Sequence, residues 1–277
     1  MNYIEVKFEI SPYEPWADLL AAELGEISFE SFVEESNKML AYVGKDFFDE
    51  NKMRKCETLH NPKVQISYTF KELEQENWNE KWESNFQPVI VDDEVCVRAT
   101  FHKPHPQCKY EIIIDPKMSF GTGHHATTYL VLSSMRHIDF NGKSVLDMGS
   151  GTGVLAIFAA MKGAEPIYAI DIDEWCSINA KENAERNGFS SIRISQGGKE
   201  QIKGLHVDII LANINRNILM DQFESYAKAL NNNGELHVSG FYLSDLDILV
   251  NEASKFGLVY QKKNSLNDWT TISFLKK

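Results

Sequence analysis

The sequence predicts an α/β fold, a mostly parallel sheet wrapped by helices, preceded by a smaller α+β domain. From residue 144 onward, short apolar runs alternate with helical segments, and the chain closes on two tandem strands, near 258–263 and 269–275. Such alternation places the strands in one parallel sheet, with the final pair as an antiparallel hairpin. The length, 277 residues, also exceeds one typical domain and suggests two.

Residues 1–70 follow a different order of elements. A strand is expected at 3–10, and Ser11-Pro12-Tyr13-Glu14 predicts a helix start with a serine cap and an early proline. Two strands near 27–43, a polar helical piece near 46–55 and a strand near 63–70 complete a β-α-β-β-α-β order. This is the ferredoxin-like pattern. Nothing in it is catalytic in type, so we expect either substrate recognition or a purely structural role.

A charged segment of helical tendency follows these strands. It carries Trp78 and Trp82 four residues apart, which places both on one helical face. We therefore expect a connector helix at 71–93 between the first domain, 1–70, and a second domain, 94–277.

The first loop of the second domain contains potential metal ligands. His102, His105 and Cys108 lie between strands expected near 94–101 and 109–115. A zinc site needs a fourth ligand, or three ligands and a water, and no further partner is evident. We expect an ordinary exposed loop and no metal.

A polar, glycine-rich segment, 115–128, precedes the first long helix of this domain. In one interpretation Thr127 or Thr128 merely caps the helix. In the other, the segment folds over a downstream glycine-rich turn, with Thr128 and Phe120 lining a cofactor site. The residues leave both interpretations open.

That turn is the central motif of the chain. Val145 and Leu146 form a short apolar run, glycines follow at Gly149, Gly151 and Gly153, and an apolar helical segment comes next. Glycine permits positive φ and a close approach of ligand to backbone. The helix start adds unpaired N–H groups. A strand, a tight turn and a helix are therefore expected, with room for a ligand above the turn.

A carboxylate decides which ligand the turn suits. Asp171 ends the next apolar run, where it can accept hydrogen bonds from ribose hydroxyls. Val154 stands where the dinucleotide pattern G-x-G-x-x-G has its third glycine, which disfavours a nicotinamide cofactor. The pattern favours a nucleoside ligand without a pyrophosphate, with S-adenosylmethionine as the leading candidate. The alternative is a structural turn in a nucleotide-free protein.

An asparagine ends the buried strand expected at 207–212. At the carboxyl end of a central strand, Asn213 would lie in the crevice where open α/β sheets bind ligands. Its amide oxygen can accept a hydrogen bond from an amine. The alternative is a cap for the helix near 216–230, and the two uses are compatible.

The charge and composition of the chain limit the classes of binding partner that we expect. The formal net charge is −12, which disfavours binding to phosphate backbones and favours a cationic partner. No run approaches the roughly 20 apolar residues of a membrane helix. The four cysteines are scattered, as suits a reducing cytoplasm. We expect a cytoplasmic protein that binds neither membrane nor nucleic acid directly.

Five motifs together resemble one family, the bacterial methyltransferases of the large-subunit ribosomal protein L11. They are Asp-Pro-Lys-Met-Ser-Phe-Gly-Thr-Gly-His-His-Ala-Thr-Thr from residue 115, Leu-Asp-Met-Gly-Ser-Gly-Thr-Gly from 146, Ala-Ile-Asp-Ile-Asp from 169, Glu-Asn-Ala-Glu-Arg-Asn-Gly from 182, and Leu-Ala-Asn-Ile from 211. The resemblance implies a Rossmann-like, seven-stranded S-adenosylmethionine-dependent domain, and a ferredoxin-like domain that holds the ribosomal protein. It implies methylation of lysine side chains and of the N-terminal amine.

By position, the resemblance assigns cofactor contacts to Thr128, Gly149, Asp171 and Asn213, with the turn through Gly151 admitting the methionine portion. Asn213 would also position the substrate amine; no general base stands out. The chain departs from the family pattern after Asn213, with Asn-Arg at 215–216 where Leu-Ala is common. The alternatives are a methyltransferase acting on another protein amine, a glutamine side chain or a small molecule, and a binding module that no longer transfers methyl groups.

Overall fold

The computed structural model describes residues 2–35, 38–73, 86–115, 117 and 119–277. Its backbone divides into two compact units, Met1–Asn85 and Phe86–Lys277. None of the helices in the described ranges is long and apolar enough to cross a membrane.

The first unit is built on a four-stranded antiparallel sheet in the order β2-β3-β1-β4. Alternate residues of the first strand are buried, and they pack with Leu20 and Leu24 of the first helix. The order of strands and helices is the one that the sequence predicts. The elements are β1 (Tyr3–Ser11), α1 (Trp16–Glu26), β2 (Phe29–Glu35), β3 (Lys38–Gly44), α2 (Glu50–Met53) and β4 (Gln65–Leu73).

The predicted helix start at Ser11 is wrong. Ser11 is the last residue of β1 and pairs with Gln65 of β4. The ladder therefore uses the residue that was expected to cap the helix. Helix α1 begins only at Trp16, after Pro15, whose side chain provides no capping hydrogen bond.

Most of the predicted connector at 71–93, with Trp78 and Trp82, lies outside the described residues. Its two described ends are strands, because β4 continues through Leu73 and β5 spans Val89–Val91. The ends of the segment are therefore extended rather than helical.

The second unit opens with a three-stranded sheet, in the order β5-β6-β7, and continues into a larger sheet. Strands and helices alternate through most of that larger sheet, as the sequence predicts. After β5 the elements are β6 (Val95–Arg98), β7 (Tyr110–Ile113), α3 (Ala126–Met135), β8 (Val145–Met148), α4 (Val154–Met161), β9 (Ile167–Asp171), α5 (Glu174–Arg186), β10 (Arg193–Gln196), β11 (Val207–Asn213), α6 (Arg216–Ala229), β12 (Leu230–Tyr242), α7 (Leu246–Ser254), β13 (Leu258–Leu266) and β14 (Trp269–Lys276).

The larger sheet has seven strands in the order β10-β9-β8-β11-β12-β14-β13. The first five are parallel, and the last two join antiparallel. Successive residues of β8 alternate between two cores: Val145 packs on the side of α3 and α4, and Leu146 on the side of α6 and α7. A sheet covered on both faces is the Rossmann-like arrangement, so the predicted fold class is confirmed.

The closing hairpin turns on two residues. Asn267 and Asp268 both have positive φ, 49° and 65°. Two central residues of positive φ characterise the type I′ turn, whose twist matches that of the flanking strands. This connection is shorter than the link at 264–268 expected from the sequence, because β13 continues through Leu266.

Candidate active site

The candidate site lies where the parallel strands end. Strand β8 has β9 on one side and β11 on the other. The glycine-rich turn that follows β8 therefore lies between Asp171, the last residue of β9, and Asn213, the last residue of β11. This juxtaposition is the one that the sequence predicts for the carboxyl edge of the sheet.

Two glycine positions of the turn have no room for a side chain. Gly149 and Gly151 have φ values of 73° and 53°, in the left-handed region that favours glycine. A Cβ on Gly149 would lie 2.2 Å from Ile214 Cγ2, and a Cβ on Gly151 would lie 2.2 Å from the carbonyl oxygen of Phe120. The two glycines therefore let the turn pack closely against the chain before α3 and after β11.

Asp171 braces the turn from the side of β9. Its carboxylate accepts a hydrogen bond from Gly151 N at 2.8 Å and another from Asp173 N at 3.0 Å. Each carboxylate oxygen has a second lone pair, so the group can accept further donors. The neighbouring Ile172 side chain is 79% exposed. The Asp171 carboxylate therefore lies next to the exposed apolar side chain of Ile172.

The segment before α3 folds onto the turn. Thr152 N donates to the carbonyl oxygen of Phe120 at 2.8 Å, and Thr152 Oγ1 donates to that of Gly121 at 2.7 Å. The ring of Phe120 remains half exposed. These contacts are those expected if the segment covers the turn rather than only starting a helix.

Neither Thr127 nor Thr128 caps helix α3. The cap is His125, whose Nδ1 accepts from Thr127 N at 3.3 Å, so the simpler interpretation of these threonines is wrong. The hydroxyl of Thr128 is instead free to accept a hydrogen bond from Asn213 Nδ2 at 3.3 Å. Two residues 85 positions apart are thereby joined at the edge of the turn.

Asn213 has an unused acceptor. Its Oδ1 is buried and has no hydrogen-bond partner among the described residues. A buried acceptor left unpaired costs roughly 1–3 kcal/mol, so a ligand that donates a hydrogen bond here would be favoured. The cap of helix α6 is Asn215, whose side chain accepts from Ile218 N at 3.2 Å. The interpretation of Asn213 as that cap is therefore wrong.

Sequence reasoning missed a second carboxylate at the site. Asp147 in β8 is fully buried; its Oδ2 accepts from Ala156 N at 3.0 Å, and its Oδ1 has no partner in the described part of the chain. The pKa of Asp147 is raised to about 7, chiefly by burial; the hydrogen bond from Ala156 N lowers it and the nearby Asp171 raises it. The sequence signal that could have identified it is a carboxylate inside an otherwise apolar strand.

In the loop that follows β6, the imidazole of His102 forms hydrogen bonds with backbone atoms. His102 Nδ1 accepts from Ala99 N at 3.0 Å, and Nε2 bonds with the carbonyl oxygen of Phe86. Within the described ranges, no group of three or more His, Cys, Asp or Glu side chains is placed to hold a metal ion.

Comparison with known proteins decides the family. The model of the ribosomal protein L11 methyltransferase family matches residues 20–277. The chain belongs to this family. It is 43% identical over 283 residues to the ribosomal protein L11 methyltransferase of Phocaeicola vulgatus, covering all of both chains, and 44% identical over 278 residues to that of Bacteroides thetaiotaomicron, covering 99% of each.

A solved structure shares the fold. The ribosomal protein L11 methylase of Lactobacillus delbrueckii subsp. bulgaricus superposes with a TM-score of 0.64 at 25% identity, over 69% of this chain and all of that one. The resemblance seen in the five motifs is thereby confirmed. Membership of the L11 methyltransferase family also extends into the first unit, because the match begins within α1, where the sequence resembled the family in size and pattern only.

Proposed function

We propose that this chain transfers methyl groups from S-adenosylmethionine to amino groups of ribosomal protein L11, namely lysine side chains and the N-terminal amine. The observation that carries the proposal is the edge of the sheet, where a glycine-rich turn lies between the Asp171 carboxylate and Asn213 Oδ1, which is buried without a partner among the described residues. Family relatives carry the name of this activity.

The residues present fit the cofactor. The remaining lone pairs of Asp171 suit ribose hydroxyls, and the turn at Gly149 and Gly151 presents backbone rather than side chains to the methionine portion. Thr128 orients Asn213 toward the same edge. When bound, S-adenosylmethionine supplies an electrophilic methyl group on a sulfonium.

The substrate amine must arrive neutral. A lysine with a pKa near 10.4 is protonated at pH 7, and removing that proton costs about 4–5 kcal/mol. Burial of the amine lowers this cost, because desolvation disfavours the charged form. Asn213 Oδ1 accepts one N–H of the amine and so directs the nitrogen lone pair. Holding reactants in this way is worth about 7–11 kcal/mol in well-oriented systems. We assign no residue as the general base.

We also propose that the domain at 1–70 holds the ribosomal protein, in the cytoplasm. This segment contains 13 acidic and 7 basic residues, a net charge of −6, which favours a cationic partner. Deleting residues 1–70 should leave cofactor affinity unchanged, because the sheet and both of its cores belong to the second unit. The same deletion should abolish methylation of L11. Equal turnover by the truncated chain would remove the recognition role.

Mass spectrometry of ribosomal proteins tests the function in cells. In cells that lack this chain, L11 should carry no methyl groups, and the wild-type chain should restore them. The Asp171→Ala chain, produced at the same level, should not. Fully methylated L11 in the deletion strain, or a lost methyl group on a glutamine or a small molecule instead, would contradict the proposal.

A further inference from the structure

A groove of about 530 Å³ opens beside Asn215, just beyond the carboxyl ends of β11 and β12. It borders the chain segment that carries Asn213, because its wall includes Asn215, and a Cβ on Gly240 in the same wall would lie 2.2 Å from the carbonyl oxygen of Ile214. The residues of the wall that matter here are Asn215, Arg216, Gly240, Tyr242, Asp245 and Trp269.

One ion pair sets the charge of this groove. Asp245 Oδ1 accepts from Arg216 Nη1 at 2.8 Å, and Asp245 Oδ2 accepts from Tyr242 N at 3.3 Å. The Asp245 side chain is only 15% exposed, whereas that of Arg216 is 42% exposed. The carboxylate is therefore used internally, and the charge that a ligand meets is the guanidinium.

The guanidinium is held in place with donors to spare. Arg216 Nε and Nη2 both donate to Asn217 Oδ1 at 3.2 Å, in addition to the bond to Asp245. A guanidinium has five N–H donors, so two have no partner among the described residues. A planar cation fixed on two sides is suited to a carboxylate.

This cation lies next to a site that we assign to an amine. A protonated lysine alone would be repelled by the exposed guanidinium of Arg216, even though the net charge of −12 favours a cationic partner for the chain as a whole. A polypeptide that brings an acidic side chain together with its amine would instead be complementary to the groove. The charges of the groove therefore favour a polypeptide with an acidic side chain close to the target amine.

We propose that the groove binds the stretch of the protein substrate that flanks the target amine. In this proposal Arg216 is a specificity-determining residue that pairs with an Asp or Glu side chain near that amine. The inference rests on the proposed function, because its occupant is the methylated protein. Arg216 is three residues after Asn213, so their Cα atoms lie at most about 11 Å apart. An extended substrate advances about 3.3 Å per residue, so the acidic residue should lie within about four positions of the amine.

Methylation rates at single sites test the pairing. With L11 as substrate, each methylated amine is located by mass spectrometry, and nearby Asp or Glu residues of L11 are changed to the amide. For the wild-type enzyme the amide substrate should raise KM about fivefold to tenfold and change kcat little, since a partly exposed ion pair is screened by solvent. Arg216→Gln should raise KM to the same extent with unaltered L11, and the two changes together should raise it no further. Arg216→Lys should recover part of the loss.

Arg193→Gln is the matched control. Arg193 is also exposed and loses the same charge, but it lies in β10 at the far edge of the sheet and contacts Tyr168. Its KM should not change. The inference is overturned if no acidic residue lies within reach of any methylated amine, or if Arg216→Gln raises KM equally for both forms of the substrate. Either result leaves the proposed function intact, whereas wild-type enzyme that binds cofactor and methylates no L11 refutes the proposed function itself.

Discussion

Replacing Asp171 should separate cofactor binding from folding. Its carboxylate is the acceptor for Gly151 N at 2.8 Å and for Asp173 N at 3.0 Å, and it is the group that we assign to the ribose. Asp171→Ala removes the ribose acceptor and the brace of the turn together. Asp171→Asn keeps one oxygen that can accept from Gly151 N, but it loses the charge and the second oxygen, which accepts from Asp173 N.

The expected losses follow from the bonds involved. Hydrogen bonds to a charged group contribute roughly 1.5–3 kcal/mol, so loss of the ribose contact and of the turn geometry in Asp171→Ala should weaken cofactor binding by about 3 kcal/mol or more. That corresponds to a Kd raised at least about a hundredfold. Asp171→Asn should weaken binding by about 1–2 kcal/mol, or roughly tenfold.

Isothermal titration calorimetry with S-adenosylmethionine measures both losses. Asp173→Asn is the control, since it loses the same charge two residues away and asparagine retains the capping hydrogen bond to Trp175 N. Its affinity should match that of the wild type, and all three variants should unfold cooperatively without ligand. Wild-type affinity in Asp171→Ala, or an equal loss in Asp173→Asn, would refute the ribose assignment.

Three further changes probe the turn and its surroundings. Gly151→Ala should abolish cofactor binding and lower the free energy of unfolding by several kcal/mol, because the new Cβ would lie 2.2 Å from the carbonyl oxygen of Phe120. Gly188→Ala is the control: its φ is also positive, 83°, but no atom lies within 4 Å of the new Cβ. In denaturant unfolding it should lower the free energy of unfolding by only about 1 kcal/mol. Asn213→Ala should slow single-turnover methylation about thirtyfold or more, whereas Asn213→Asp, which keeps an acceptor, should retain more of the rate. Because burial raises the pKa of Asp147 from 3.8 to about 7, the stability gained from its protonation is present below pH 4 and is lost as the pH rises through 7. Asp147→Asn should therefore raise the Tm at pH 8, where the free energy of unfolding should increase by up to about 4 kcal/mol. The increase should shrink toward pH 4, and an equal change at both pH values would refute the burial argument.

The fold was predictable because its signals are local. Apolar runs of strand length alternate with helical segments, and glycines at 149, 151 and 153 occupy positions of positive φ. Asp171 was singled out because it ends the apolar run that follows the turn, and the structure places its carboxylate against Gly151 N. Each of these inferences needed only a short stretch of chain and the rules of parallel sheets.

The errors arose where distant segments compete for the same residue. Ser11 is a good helix cap by residue type, but a strand 54 positions away in the sequence, at Gln65, pairs with it. Thr128 is also a good cap by type, yet His125 takes that role and leaves the threonine to Asn213. No local pattern contains these contacts, so only the folded chain reveals them.

The groove at Arg216 illustrates the same limit. Its charge depends on Asp245, which lies 29 positions later in the chain and is turned inward by the backbone of Tyr242. The sequence showed that the residues after Asn213 depart from the family pattern. It did not show that an exposed guanidinium would face the site.

The most direct test of the account is methyl transfer by the purified chain. The protein is incubated with S-adenosylmethionine and unmethylated L11, and the mass of L11 and its modified residues are determined over time. We expect methyl groups to appear on lysine side chains and on the N-terminal amine with the wild-type chain, and not with the Asp171→Ala variant. L11 of unchanged mass, in the presence of wild-type chain that has bound the methyl donor, would contradict it.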